Sequence, residues 1–178
     1  MAKRLFLLHV GPDAVSVPAM GNALALGHVA VPDADDTTIT HAGIEIRRTH
    51  RAAGLKRKHV EGAWAKVCRR AHKAKADCFV SMPAFFDATP EQAALALDGL
   101  AGFKTVVVVT SGFTAPPPAA WTELVKEGRV HVLPSGLSDE QLAAQVARIA
   151  LMEEQARLDK RLNRIGERRK QVDRRLVA

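Results

Sequence analysis

The chain holds two cysteines, no tyrosine, two tryptophans and six phenylalanines among its 178 residues. Two thiols, Cys68 and Cys78, cannot frame a disulfide scaffold, and the simplest expectation is that both are free, buried and kept in a reducing compartment. So few aromatics exclude a nucleic-acid binder that stacks bases on aromatic platforms. No apolar run approaches the ~18 residues of a membrane span. The start, Met1-Ala2-Lys3-Arg4, has the charge of a signal peptide, but its apolar run is only Leu5 to Val10 and then meets Gly11-Pro12-Asp13. That pattern reads as a strand entering a loop, so a cytoplasmic location is expected. Neither G-x-G-x-x-G nor G-x-x-x-x-G-K-[ST] occurs, which removes the sequence markers of dinucleotide and nucleoside triphosphate binding.

What is present is ordinary globular composition, 47% apolar and 25% charged, in a length that suits one domain. The net charge of +7 is concentrated. From Arg157 onward nine basic residues (Arg157, Lys160, Arg161, Arg164, Arg168, Arg169, Lys170, Arg174, Arg175) face three acidic ones (Asp159, Glu167, Asp173), a net of +6. The rest of the chain carries only +1, so the basicity belongs to the tail.

Leu5 to Val10 is a continuous apolar run, as in a strand buried on both faces. Val29 to Val31, Cys78 to Met82, Thr105 to Thr110 and Val130 to Leu133 are the other strand candidates. Helices are expected between them. One covers Val60 to Lys75, with Val60, Ala63, Trp64, Val67, Cys68 and Ala71 on one face and Lys66, Arg69, Arg70 and Lys73 opposite or flanking. Another begins at the capping box Thr89-Pro90-Glu91-Gln92 and runs through Leu95, Leu97 and Leu100. A shorter one follows Pro116-Pro117-Pro118, burying Trp121, Leu124 and Val125 before Gly128. Strands alternating with helices predict an α/β fold with a parallel sheet covered on both faces, occupying residues 1–137. Ligands of such sheets sit beyond the carboxyl ends of the strands, here Gly11 to Met20, Ser81 to Asp87 and Ser111 to Pro118.

Residues 138–178 form a separate unit, a long basic helix opened by a second capping box, Ser138-Asp139-Glu140-Gln141. Leu142, Val146 and Ile149 make a stripe suited to docking on the sheet. From Leu158 the spacing becomes four-three through Leu162, Ile165, Arg169, Val172 and Leu176, a short heptad seam with one polar intrusion at Arg169. A continuous helix to Leu176 spans ~55–60 Å, so its end must project or fold back.

The opening His9-Val10-Gly11-Pro12, the stretch Gly62-Ala63-Trp64, Ala88 to Leu97, the valine run Val106 to Val109 with Thr110, and Pro118 to Gly128 together resemble the actinobacterial branch of the sulfotransferase family, over most of residues 4 to 130. The resemblance implies a P-loop-type three-layer fold and, in an active member, 3′-phosphoadenosine 5′-phosphosulfate as donor. The family's signature after the first strand is His-[Ile/Val]-Gly, two residues, then Lys-Thr-Gly-Thr-Thr. Its glycine allows a tight loop, its N–H groups cradle phosphate and its lysine neutralises the transferred charge. Here His9-Val10-Gly11 remains, but Ala14 stands where the lysine belongs, and Val15, Ser16, Val17 and Pro18 replace the rest. Pro18 also removes a donor near a helix start. The family's arginine for the 3′-phosphate falls on Gly112, and its following serine within Pro116 to Ala119, where no hydroxyl exists. The resemblance therefore implies a vestigial loop of His9, Gly11 and Ser16, with no catalytic residue, no bound cofactor and no metal expected.

Other groupings favour structural readings. Cys68 and His72 lie four apart, with Cys78 near, but a fourth metal ligand is not evident. His41, His50 and His59 recur at an interval matching neither helix nor strand. Arg47, Arg48, Arg51, Lys56, Arg57 and Lys58 form a basic cluster that suits a solvated surface better than a phosphate site. The function expected is that of a sulfotransferase-like pseudoenzyme, a binding or scaffolding module. It would meet a protein partner or a second copy through Leu158, Leu162, Ile165, Arg169, Val172 and Leu176. The alternatives are an active sulfotransferase with an altered loop, and a nucleic-acid- or ribosome-associated protein using the basic helix; no membrane partner is expected.

Overall fold

The apolar runs do become strands, and all of them are parallel. In a computed structural model, which describes residues 3–12, 15–112 and 118–177 (side chains through 172), the sheet comprises β1 (Leu5–Val10), β2 (Val29–Ala30), β3 (Asp77–Ser81), β4 (Lys104–Ser111) and β5 (Val130–Pro134). The spatial order is β2-β3-β1-β4-β5, with every neighbouring pair parallel. The register sets His9 beside Ser81 of β3 and Val108 of β4. All six residues of β1 are buried, as a central strand covered on both faces requires.

Helices cover both faces, as the alternation predicted. Alternate strand residues Phe6, Leu8, Val10, Cys78, Val80, Val107 and Val109 face one core, with α2 (Asp36–Arg47), α4 (Ala63–Ala74), α5 (Pro90–Asp98) and α6 (Ala119–Leu124) supplying Ile46, Trp64, Ala93 and Trp121. Leu5, Leu7, Phe79, Val106 and Val108 face the other, against Met20 and Leu24 of α1 (Val17–Leu26) and Leu142, Val146 and Ile149 of α7 (Asp139–Val177). Both tryptophans satisfy their indole N–H inside the core, Trp64 on the Ala96 carbonyl and Trp121 on that of Phe85.

Local chemistry corrects several expectations. The helix expected over Val60 to Lys75 is two: α3 (Arg57–Val60) and α4, parted at Gly62, whose φ of 81° is left-handed. The Glu45 carboxylate, from α2, accepts the N–H groups of Gly62 and Trp64 and so caps α4 from a distant segment. Helix α5 does open with the reciprocal Thr89–Gln92 box, but it ends at Asp98; Leu100 is buried in the turn beyond, while Leu95 and Leu124 are largely exposed. Helix α1 starts beside Pro18, where the resemblance implies a helix start, and α2 occupies a stretch in which no helix is expected. In α2, Asp35 caps the first turn by accepting from Thr38, and that N–H holds its carboxyl below the usual range.

Helix α7 is continuous through Gly166 and starts at the expected Ser138–Gln141 box. It descends the sheet from the carboxyl to the amino edge. There, Glu153 pairs with Lys104 at the start of β4 and Arg157 with Asp77 at the start of β3. Asp77 also accepts the Leu5 N–H at 2.6 Å, so one carboxylate ties β1, β3 and α7 together, and that bond to Asp77 raises the Arg157 pKa. Beyond Arg157 every residue from Leu158 to Val172 is exposed, so the helix projects for roughly 30 Å at ~1.5 Å per residue.

Candidate functional site

Parallel strands direct their carboxyl ends to one edge, and three of them meet there around His9. Parity along the strands puts His9, Ser81 and Thr110 on the same face. The imidazole Nδ1 lies 2.8 Å from Ser81 Oγ and Nε2 lies 3.1 Å from Thr110 Oγ1, all three residues being buried. Each hydroxyl can donate or accept, so both ring tautomers are served. The carbonyl of His9 accepts from Met82 N–H at 2.9 Å, and Phe79 stacks on its ring. This group laces β3, β1 and β4 together at the edge where a ligand would approach.

Gly11 is required for space and not for an unusual backbone angle. A Cβ there would stand 1.7 Å from Thr110 Oγ1 and 3.0 Å from His9 Nε2. The expected vestigial pair His9 and Gly11 is thus brought together, closed by Thr110. Ser16 stands exposed at the N-cap of α1, and its hydroxyl does not cap the helix; Pro18 sits in the first turn. Ala14 and its neighbour Asp13, together with Pro116 and Pro117, lie outside the described residues. Gly112 is unobstructed: its nearest neighbour for a Cβ is Ser135 Oγ at 3.9 Å.

Beside this edge a groove of about 320 Å³ opens between the start of α1, the end of β2 and the start of α2. Its described lining is largely apolar, with Val15, Val17, Val31, Ile39 and Val80, joined by Ser81 and Thr40. The one ionised side chain among the described lining residues is Asp36. A phosphate or sulfate there would meet a carboxylate and no cation from those residues, the reverse of what anion binding needs.

The cysteines behave as buried apolar groups. Cys78 donates to the Ala71 carbonyl at 3.6 Å, and burial pushes its pKa up to about 11 and that of Cys68 up to about 12. His72 packs against Phe103, over which Arg4 also lies. Among the described residues no three His, Cys, Asp or Glu side chains are grouped to hold a metal. The basic cluster is divided: Arg47 donates to the Ala84 carbonyl, and Arg57 pairs with Glu61. No helix among the described residues is long and apolar enough to cross a membrane.

On the projecting helix the seam residues are at the surface: Leu158 is 53% exposed, Leu162 65%, Ile165 54% and Val172 55%. Arg169 is exposed among them, and the side chain of Leu176 lies outside the described residues. Sequence reading missed Ser81 and Thr110 at the His9 site and Asp77, Lys104, Glu153 and Arg157 at the clasp. Their partners are 49 to 101 residues away along the chain. Only strand parity, once the register is known, could have found the first two.

Comparison with family models, with curated proteins and with solved structures returns no match for this chain.

Proposed function

We propose that the chain is a sulfotransferase-like α/β module that has lost donor binding and works as a binding or scaffolding element through its C-terminal helix, with a protein as partner. The observation that carries this reading is the projecting part of α7, which presents four large apolar side chains at heptad spacing to solvent. Apolar side chains in such a row are not needed for the domain's own core, which the first half of α7 completes. Support for lost donor binding comes from the carboxyl edge. Ala14 and Gly112 stand where the resemblance requires a lysine and an arginine, and Asp36 is the charge in the adjoining groove.

The test is a thermal melt of the full chain with adenosine 3′,5′-bisphosphate up to millimolar concentration. Tight binding, at ligand 100-fold above Kd, would stabilise by about 2.7 kcal/mol and raise Tm by roughly 5–10 °C. No shift is expected. A rise of that size would overturn the proposal and favour an active enzyme that holds its donor by other groups.

A further inference from the structure

We propose that the projecting part of α7 binds an acidic amphipathic helix of another protein. That helix would seat apolar side chains on Leu158, Leu162, Ile165 and Val172 and carboxylates against the arginines that flank them. The inference rests on the reading of α7 as the interaction surface and adds the chemistry of what covers it.

Three observations select this occupant. The seam is narrow: its apolar residues fall only at the two core positions of the heptad, with Arg161 and Arg168 on one flank and Asp159 and Gly166 on the other. A stripe of that width fits one partner helix, whereas a helix lying in a membrane surface needs a broader apolar face, commonly carrying aromatics. Second, the four apolar side chains are more than half exposed, and a nucleic acid would engage the arginines while leaving those side chains in water. Third, charge opposes a second copy. A parallel pair sets Arg169 against Arg169 inside the seam, and an antiparallel pair lines one copy's Arg161 and Arg168 flank against the same flank of the other. Each copy also brings the net +6 of the segment from Arg157 onward. An acidic helix removes all of these conflicts, because a glutamate opposite Arg169 turns the polar intrusion into a charge-assisted contact.

The experiment uses the full chain and two synthetic helical peptides. Both have leucine at the core heptad positions; one has glutamate and the other lysine on both flanks. Binding is followed by fluorescence anisotropy in about 0.15 M salt, beside sedimentation of the chain alone and its titration with RNA and with anionic vesicles. The glutamate peptide is expected to bind roughly 100-fold more tightly than the lysine peptide, through several flank pairs of modest strength each. The double variant Leu162→Asp with Ile165→Asp, whose substituted positions are exposed and whose fold is checked by circular dichroism, should lose that binding. Equal affinity for both peptides, or none for the glutamate peptide, overturns the inference. A chain that dimerises, with the dimer abolished by the same double variant, overturns the acidic partner yet leaves α7 as the interaction surface. RNA or vesicle binding that survives the double variant, with no peptide binding, overturns both this inference and the reading beneath it.

Discussion

The two halves of α7 share one unbroken backbone and differ in everything else. Above Arg157 the helix buries Leu142, Ala143, Val146, Ile149 and Ala150 against the sheet and α1. Below it, nothing from Leu158 to Val172 is covered. At about 100° per residue, the apolar seam of the lower half is turned by roughly 100° from the middle of the buried face. A helix that merely ran on would keep its stripe in phase and let it fade into polar residues. Here the stripe changes direction where the domain ends, so the lower apolar residues are out of phase with the face that the sheet and α1 cover.

Breaking the upper half should be the most damaging. Val146→Asp places a carboxylate in an apolar core and is expected to cost more than about 4 kcal/mol, measured by denaturant unfolding. A loss below about 1 kcal/mol would mean that the upper half is not the core element described. Next is Gly27→Ala, because a Cβ on Gly27 would stand 2.8 Å from Ala147 Cα, backbone against backbone. About 1–3 kcal/mol is expected, with α1 forced away from α7. The clasp at the amino edge comes third. A double-mutant cycle on Asp77 and Arg157 should give a coupling of about 1 kcal/mol, with Asp77→Ala alone costing more because it also strips the Leu5 N–H of its acceptor.

Alkaline titration sharpens the same contrast. The thiols of Cys78 and Cys68 ionise in the folded protein only near about 11 and about 12, against 9.0 when unfolded. Their contribution is therefore whole below pH 9 and is lost as pH rises through those values. Arg157, raised by Asp77, keeps its proton throughout that window. Unfolding at high pH should accordingly begin in the domain and carry the upper half of α7 with it, seen as simultaneous loss of near- and far-ultraviolet dichroism. Early detachment of α7 would contradict this order. The smallest effect is expected below the clasp: Leu162→Asp should change stability by no more than about 0.5 kcal/mol. A cost near that of Val146→Asp would show the seam to be packed in the free chain.

The strands were legible because a central parallel strand needs a run of apolar residues, and Leu5 to Leu8 and Val106 to Val109 are such runs. The caps at Thr89 and Ser138 were legible because their partners lie three residues away. Where the determinant is distant, sequence reading failed. The break before α4 depends on Glu45 reaching Gly62 and Trp64 from another helix. Helix α2 was hidden by the aspartates of Pro32 to Asp36, of which Asp35 is its cap. At the carboxyl edge His9 and Gly11 could be singled out, but the reason for Gly11 could not, since Thr110 crowds it from β4. The exposure of the seam needed the path of the helix; its residues alone were compatible with a core.

The pressing of Gly27 on Ala147 has a consequence beyond packing. By locking that one face of α7 to α1, it acts as an index mark for the whole rod. Counting down from Ala147 at about 100° per residue, Leu158, Leu162, Ile165 and Val172 all point within roughly 60° of the direction in which Ala147 meets α1. A guest on the lower half would thus be held below α1, on its side of the rod. The bearing of whatever is bound is set by a glycine 131 residues ahead of Leu158 in the chain, and widening that contact would swing the guest about the rod's axis without touching the seam.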